Sequence, residues 1–325
     1  MSDNDIRWGI LATGGIAQTL AGDMAVSGIT VAAVASRTAE SAQAFADRFG
    51  IPTAHGGYQA LAEDPTVDVV YIATPHPMHA EWALAMIDAG KHVLVEKAFT
   101  MNRAEAEQIR DRARAKDVLV MEAMWTRYLP HMARIREIIA AGTLGELRGL
   151  IADHSQRLPS DPAHRINAPE LGGGALLDLT IYPISFAFDL FGTPQTVLAQ
   201  AVMGETGVDV VDAISFGYGT GALASISATS QAAGPNTAVI LGTEARIEID
   251  RVWYTPTSFR VVSHDGTVLE TYRSDVPGTG RQLQMLAFEE YLAEGRRDSD
   301  LLGLDESVEI MGTLDEIRRQ IGLVF

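Results

Sequence analysis

The stretch IRWGILATGGIA, Ile6 to Ala17, decides the fold. A short apolar run is followed by two glycines, Gly14 and Gly15, and then by a segment with helical spacing. Such a turn lets a pyrophosphate approach the N–H groups at a helix N-terminus, where the helix dipole favours negative charge. Glycine turns also occur for structural reasons, and Ala12 replaces the first glycine of the usual motif. We expect a dinucleotide contact at four residues: Thr13, Gly14, Gly15 and Ile16.

Strand and helix patterns alternate from this turn to about residue 122. The apolar runs ITVAAVAS, VDVVYIAT, HVLVEKA and VLVMEA are separated by segments with helical spacing. This alternation predicts a doubly wound parallel sheet, because parallel strands need crossover connections. Residues 196–272 contain successive strand patterns, and helical patterns return after them. The sequence therefore predicts an α/β chain with an N-terminal Rossmann domain, residues 1–124, and a C-terminal α+β domain, residues 125–325. We expect an open, mixed and mainly antiparallel sheet in the second domain, with C-terminal helices packing back on the first.

The composition excludes several kinds of protein. The 325 residues include no cysteine, which excludes disulfides, thiolate catalysis and cysteine-ligated metals. A net charge of −17 opposes binding to nucleic acid or an anionic membrane. The N-terminus lacks a signal-peptide pattern, and we expect a cytoplasmic protein. His76 and His79 are three residues apart, but no carboxylate cluster accompanies them, so we expect no metal.

The end of the second strand indicates which dinucleotide binds. An NAD site usually carries an acid there for the adenine ribose, whereas an NADP site carries small polar and basic groups for the 2′-phosphate. Ser36 and Arg37 occupy this position. The pattern favours NADP(H) over NAD(H), since a guanidinium binds phosphate with parallel hydrogen bonds. The alternative is a solvated arginine that opens a helix.

Two further strand ends carry polar residues. The motif TPHPMHAE overlaps the end of the VDVVYIAT strand, and HVLVEKAFT contains the next strand and its end. Ligands of such sheets bind beyond the carboxyl ends of the strands. An ammonium group there can hydrogen-bond a substrate oxygen and stabilise a developing alkoxide. A surface ion pair at a strand end is the alternative for Glu96 and Lys97. Cofactor contacts are expected at Thr74, Pro75, His79, Glu96 and Lys97.

Four motifs in this order carry a family resemblance: ATGGIA, TPHPMH, AGKHVLVEKAFT and GGGALLDLTIYP. The chain resembles the glucose-fructose oxidoreductase/inositol dehydrogenase family, Gfo/Idh/MocA, over nearly its whole length. The motifs MEAMWTRYLP and VWYTPT are similar to those of its dimeric dihydrodiol dehydrogenases and NADP-dependent aldose 1-dehydrogenases. The resemblance implies a homodimer or homotetramer formed through the C-terminal sheet.

The resemblance also implies residue roles. Lys97 matches the family's lysine that contacts substrate and nicotinamide ribose. Asp178 matches the aspartate that holds substrate hydroxyls, and Tyr182 matches the acid/base residue. Asp178 and Tyr182 are four residues apart, so on a helix both side chains emerge on one face. Ala98 departs from the family motif, which has proline after the lysine. Substrate contacts are expected at His76, Trp125, Arg157, Asp178 and Trp253, although tryptophan is often a core residue and Arg157 lies on a polar loop.

The sequence therefore predicts an NADP(H)-dependent oxidoreductase. Hydride would move between nicotinamide and a secondary alcohol or carbonyl carbon of an aldose, cyclic polyol or trans-dihydrodiol. One alternative is a glycosidase or epimerase of the same fold that retains its NAD, and such members tend to keep histidine at the Tyr182 position. Another is a non-catalytic dinucleotide-binding regulator, which would have no use for Lys97, Asp178 and Tyr182 together.

Overall fold

The computed structural model describes residues 6–324 and divides into two compact units. Unit 1 consists of residues 6–123 and Arg281–Met311. Unit 2 consists of Met124–Gly280 and residues 312–324. Each unit therefore takes a piece of the C-terminal region, which the sequence assigned to the second domain with its helices packing back on the first.

Unit 1 is built on a six-stranded sheet in which every neighbouring pair is parallel, in the order β3-β2-β1-β4-β5-β6. Its strands are β1 Trp8–Leu11, β2 Val31–Ser36, β3 Thr53–Gly56, β4 Val69–Ile72, β5 His92–Val95 and β6 Val120–Glu122. Its first helices are α1 Gly15–Ser27, α2 Ala39–Phe49, α3 Tyr58–Glu63, α4 His79–Asp88 and α5 Arg103–Lys116. The predicted doubly wound sheet is confirmed.

The central strands of this sheet are buried on both faces, which explains their continuous apolar runs. All four residues of β1 and of β4 are buried. Side chains also fix where helices begin. The Thr38 side chain accepts from the Ser41 N–H at the start of α2, and the Asn102 side chain accepts from the Glu105 N–H at the start of α5. These ends of helices and strands position the residues of the site.

A later helix completes unit 1. The helix α8, Gln282–Ala293, contacts α1. Trp8 is fully buried at this contact, where its ring meets Phe288 edge-on at 5.2 Å between centroids. The Trp8 Nε1–H donates to Glu289 at 2.8 Å.

Unit 2 contains an eight-stranded sheet in the order β14-β13-β12-β11-β7-β10-β9-β8. The β7–β10 pair is parallel, and the other pairs are antiparallel. This mixed sheet confirms the predicted fold class. Its strands are β7 Leu147–Ser155, β8 Thr196–Met203, β9 Asp209–Gly217, β10 Leu223–Thr229, β11 Ala238–Gly242, β12 Ala245–Ile249, β13 Phe259–Ser263 and β14 Val268–Tyr272. The helices α6, Pro130–Ala140, and α7, Ile181–Phe191, also belong to this unit, and the helix α9, Leu304–Ile321, ends in it.

The two faces of this sheet differ. The helix α7 packs on β7 and β10, where alternate strand residues are buried. The opposite face is open. A cavity of about 710 Å³ lies over five neighbouring strands, β11, β7, β10, β9 and β8. At one edge, the Gln320 side chain donates to Val197 O at 2.8 Å and accepts from Ala199 N at 2.8 Å. This amide occupies backbone groups of the edge strand β8.

One helical stretch, Pro169–Phe191, is long and apolar enough to cross a membrane by length and composition alone. In this protein, 83% of its most apolar window is buried. Such burial is ordinary for a core helix.

Candidate active site

The glycine turn of unit 1 has the open backbone that a pyrophosphate requires. Gly14 precedes α1 and provides no side-chain cap for its first N–H groups. A Cβ atom added at Gly14 or Gly15 would meet nothing within 4 Å. Ala12 has a φ of 87°, in the left-handed region that glycine adopts readily. The residues present therefore fit a dinucleotide phosphate, although alanine stands where glycine is usual.

The end of β2 matches the NADP pattern. Ser36 is buried, and its hydroxyl lies 3.2 Å from the Thr13 hydroxyl. Arg37 follows as an exposed residue. A neutral hydroxyl pair and an exposed guanidinium suit an added phosphate better than they suit two ribose hydroxyls.

Two histidines hold the backbone that follows β5. His79 is fully buried, with Nδ1 2.9 Å from Ala98 O and Nε2 2.9 Å from Thr74 O. His76 Nε2 lies 3.2 Å from Lys97 O. Burial lowers the pKa of His79 to about 4, against the opposing effect of the carbonyl groups. His79 has no exposed ring surface and holds the Thr74 and Ala98 backbone, and its contact with the cofactor stays a prediction.

Glu96 and Lys97 have different surroundings. Glu96 is buried, and its Oε1 accepts from the Tyr71 hydroxyl at 2.5 Å. Burial raises the pKa of Glu96, while the Tyr71 hydrogen bond opposes this shift. Lys97 is only partly buried, and its peptide bond to Ala98 is cis. Glu96 therefore belongs to the interior of unit 1. Its carboxylate is not exposed, and the cofactor contact expected of it stays a prediction.

In unit 2, the GGGALLDLTIY segment forms a π-helical turn, Leu176–Thr180, which leads directly into α7. A Cβ at Gly173 would lie 2.7 Å from Ile166 O, and one at Gly174 would collide with Asp209 Oδ1. Gly174 also has a φ of 112°. The glycines are needed because backbone and a carboxylate occupy the space of their missing side chains. The sequence predicted an ordinary helix here, so the α-helical spacing argument for Asp178 and Tyr182 does not apply unchanged to the wider π turn.

Tyr182 lies in an aromatic cluster with Trp125, His154 and Tyr254. The Trp125 Nε1–H donates to the Tyr182 hydroxyl at 3.0 Å. The His154 ring stacks on Tyr254 at 3.8 Å between centroids and meets Tyr182 edge-on at 5.0 Å. Burial raises the pKa of Tyr254 to about 12, so this phenol stays protonated at neutral pH. Tyr182 thus has a hydrogen-bond donor aimed at its oxygen and aromatic rings beside it.

Asp178 is held by an arginine from the loop before the π turn. Arg165 Nη2 donates to Asp178 Oδ1 at 3.2 Å and to Oδ2 at 3.0 Å. The Asp178 side chain is 10% exposed, whereas that of Arg165 is 58% exposed. The loop therefore restrains the carboxylate that the π turn presents.

The predicted substrate-binding residues of unit 2 lie in different surroundings. Trp125 lies beside Tyr182, and Asp178 lies on the π turn that leads into α7. Trp253 is fully buried, stacks on Phe186 and donates to Asp153 O at 2.8 Å. It is a core residue, so the substrate contact expected from the sequence has no ring surface available. Arg157 is exposed, and its neighbour Gln156, not Arg157, donates to the Tyr254 hydroxyl, at 3.1 Å.

His154 was missed by the sequence analysis. Leu150, Ala152 and His154 alternate along β7 and are all buried, so they face the same side of the sheet. The sequence clue to His154 was a histidine at a strand position where its alternate neighbours, Leu150 and Ala152, are apolar. Among residues 6–324, no group of three or more histidine, aspartate or glutamate side chains is arranged to hold a metal ion.

Comparisons with known proteins agree with this geometry. Residues 6–124 match the family model described as an oxidoreductase family with an NAD-binding Rossmann fold. Residues 132–248 match that of the GFO/IDH/MocA C-terminal domain.

Similar proteins span the whole chain. Trans-1,2-dihydrobenzene-1,2-diol dehydrogenase of Mus musculus is 36% identical over 98% of both chains. D-xylose 1-dehydrogenase (NADP(+)) of Hypocrea jecorina is 34% identical over 98% of this chain and 93% of that one. A crystal structure of a 3-ketoreductase from Actinomadura kijaniata with NADP and TDP-benzene superposes with a TM-score of 0.87, at 27% identity and 98% coverage of both chains. The chain therefore belongs to the GFO/IDH/MocA family of oxidoreductases, as an NAD(P)-dependent dehydrogenase.

Proposed function

We propose that the protein transfers hydride between NADP(H) and a secondary alcohol or carbonyl carbon of an aldose, cyclic polyol or trans-dihydrodiol. The observation that carries this proposal is the Tyr182 phenol, which receives the Trp125 N–H at 3.0 Å. A tyrosine placed in this way can exchange a proton with a substrate hydroxyl. The names of the dihydrodiol and xylose dehydrogenases point to the same substrate classes.

The residues of unit 1 would bind the cofactor. The N–H groups after Gly14 would bind the pyrophosphate, and Ser36 with Arg37 would bind the 2′-phosphate. Thr74 and Pro75, at the end of β4, would border the cofactor, and Lys97 would donate to its nicotinamide ribose. When bound, NADP+ supplies the hydride acceptor.

The residues of unit 2 would act on the substrate. As a phenolate, Tyr182 would take the proton of the reacting hydroxyl and become the neutral phenol, while hydride leaves the same carbon for the cofactor. Before this transfer, the Trp125 N–H would stabilise the negative charge on the tyrosine oxygen. Asp178 would accept hydrogen bonds from neighbouring hydroxyls, and Lys97 would donate to the reacting oxygen. Sugars, inositols and dihydrodiols combine apolar ring faces with vicinal hydroxyls, which suits an aromatic cluster beside a carboxylate.

The direct test is an absorbance screen for NADPH formation with aldoses, inositols and trans-dihydrodiols, run with NADP+ and NAD+. We expect Tyr182→Phe to lower kcat by about 100-fold or more, with KM for NADP+ within about twofold of wild type. Wild-type rates in this variant would contradict the role of the phenol.

Cofactor preference is tested separately. Arg37→Gln should raise KM for NADP+ by about tenfold and leave KM for NAD+ nearly unchanged, because only NADP+ carries the 2′-phosphate. Equal changes for both cofactors would indicate that Arg37 does not read this phosphate.

We also propose a cytoplasmic homodimer or homotetramer that associates through the open face of the unit 2 sheet. Large apolar side chains are exposed there, including Ile151 at 54%, Leu198 at 68% and Leu223 at 58%. An apolar sheet face of this kind is an expected protein contact.

A further inference from the structure

Two buried carboxyl groups lie beneath the π turn that carries Asp178. Asp209 is 0% exposed and Asp212 is 1% exposed. Neither forms an ion pair with a cation among residues 6–324, and the reaction proposed above uses neither. Burying two acids without a cation is costly unless protons and hydrogen bonds compensate them.

A β-bulge brings the two acids to the same side of β9. Val202 pairs with Val211 and Met203 with Asp209, so Val210 is the extra residue. Without a bulge, residues three apart on a strand would point to opposite faces. Val210 O accepts from Ser230 N at 3.0 Å and from the Thr229 hydroxyl at 2.9 Å. The bulge is therefore held by hydrogen bonds of its own.

Each acid holds one end of the π turn. Asp209 Oδ2 accepts from the Leu176 N–H at 2.5 Å, at the first residue of the turn. Asp212 Oδ2 lies 2.6 Å from the Thr180 hydroxyl, at the last residue. Asp178 lies midway between these anchors, and Tyr182 follows two residues after Thr180.

The two carboxyl oxygens without a donor favour a proton on the pair. The Thr180 hydroxyl contacts both Asp212 Oδ2 and Ala175 O, at 3.2 Å for the latter, and has only one proton to donate. The shorter contact is the one to Asp212 Oδ2, so the hydroxyl donates its proton there and the case for a shared proton rests on the other two carboxyl oxygens. The Oδ1 atoms of Asp209 and Asp212 are buried, and no N–H or hydroxyl of residues 6–324 donates to either. The two carboxyl side chains are hydrogen-bond partners of each other, so a proton carried by one and accepted by the other satisfies these oxygens.

The surroundings favour the protonated form. The facing residues of neighbouring strands are not ionisable: Met203 and Ala201 on β8 pair with Asp209 and Asp212, and Ala228 on β10 pairs with Asp212. The π turn contributes a single titratable group, Asp178. Burial, and then the charge of Asp209, raises the pKa of Asp212 to about 8.

We propose that Asp209 and Asp212 share one proton and act as positioning residues that fix the π turn and, through it, Asp178 and Tyr182. This inference rests on the proposed function for its kinetic consequences. Above about pH 8 the shared proton leaves, two negative charges face each other without a cation, and the turn loses its fixed geometry. Loss of the proton shared by Asp209 and Asp212 would thereby change the positions of Asp178 and Tyr182.

The kinetic test compares Asp212→Ala, Asp212→Asn and the control Asp250→Asn. Asp250 is an exposed residue of unit 2 whose carboxylate accepts from a hydroxyl, that of Ser258, at 2.6 Å. Asp212→Ala should lower kcat by about tenfold, with KM for NADP+ within about twofold. Asp212→Asn is a neutral donor, so it should recover most of kcat and lose less of it than wild type above pH 8. A pH profile of Asp212→Asn that matches wild type would overturn the proposal.

Two measurements are independent of activity. Infrared spectra of the wild type near pH 6.5 should contain the C=O stretch of a buried carboxylic acid, which Asp212→Asn removes and Asp250→Asn retains. NMR of the indole N–H groups should show the Trp125 signal displaced in Asp212→Ala, because its acceptor Tyr182 moves, while the Trp8 signal of unit 1 stays. If Asp212→Ala does not fold, Thr180→Val removes only the anchoring hydroxyl and should displace the Trp125 signal in the same way.

The outcomes separate the two proposals. A wild-type protein that oxidises none of the screened substrates contradicts the proposed function, while the infrared and NMR results still decide proton sharing and positioning. Absence of the acid band from wild type, or an unmoved Trp125 signal in the variants, overturns the proposal about the pair.

Discussion

Arg165 holds Asp178 by hydrogen bonds from one nitrogen to both carboxylate oxygens, at 3.2 and 3.0 Å. The carboxylate is almost buried and the guanidinium is mostly exposed, so a loop residue restrains a residue proposed to bind substrate. The restraint orients the oxygens of Asp178 before a substrate hydroxyl arrives.

Removing this restraint should weaken substrate use without affecting the cofactor. Because the pair is partly screened by solvent, Arg165→Gln should lower kcat/KM for the sugar or diol by about fivefold and leave KM for NADP+ unchanged. Steady-state kinetics with each substrate varied checks this. Arg157→Gln, on the same loop, should have a smaller effect, and equal losses in both variants would contradict a specific role for Arg165.

Ala12 should be a source of backbone strain, because its φ is 87° and its side chain is not glycine. An L-residue in this region costs roughly 1–2 kcal/mol, whereas glycine gives back roughly 0.5–1 kcal/mol through its unfolded-state entropy. Ala12→Gly should therefore stabilise the protein slightly and raise Tm by about 2 °C. Thermal unfolding measures this. The matched control is Ala17→Gly, in the buried first turn of α1, which should lower Tm instead.

Acid should unfold the protein partly through His79. The folded-state pKa of this residue is about 4, against 6.5 for an ordinary histidine, because burial disfavours the cation. The unfolded chain thus binds the proton more readily, and stability present above about pH 6.5 is lost as the pH falls towards 4. This difference is worth at most about 3 kcal/mol. His79→Asn should flatten the fall of Tm between these pH values, whereas the exposed His264→Asn should leave it unchanged.

Association through the open sheet face should be sensitive to charge. Leu198 is 68% exposed on β8, so Leu198→Glu would place a carboxylate in the proposed apolar contact. Light scattering after size-exclusion chromatography should show the wild type as an oligomer and the variant shifted to monomer. Val26→Glu, at a 75% exposed position in unit 1, is the control. An unchanged mass for Leu198→Glu would contradict association through this face.

The sequence predicted the strands whose apolar residues form continuous or alternating runs. The buried strands β1, β4 and β5 have continuous apolar runs, and the strand pattern Thr196–Met203 matches β8 residue for residue. The strand β3, Thr53–Gly56, was absent from the predicted runs because it is a short, partly exposed edge strand with little apolar content.

The candidate site was only partly predictable, for physical reasons. Motifs identified Asp178 and Tyr182, but the π turn depends on Asp209, which is far away in sequence. Trp125 and Trp253 look equivalent in the sequence. One donates to Tyr182 and the other to a backbone carbonyl within the core, a difference that only tertiary packing determines.

The Gln320 amide on β8 has a consequence for how this edge of the sheet meets other molecules. A bare edge strand invites strands from other molecules to add without end, which produces fibres. Here a side chain from the last turn of a helix occupies the backbone groups that such an addition would use first. At this margin of the sheet, the two occupied groups, Ala199 N and Val197 O, are unavailable to an incoming strand, which disfavours lateral polymerisation through β8.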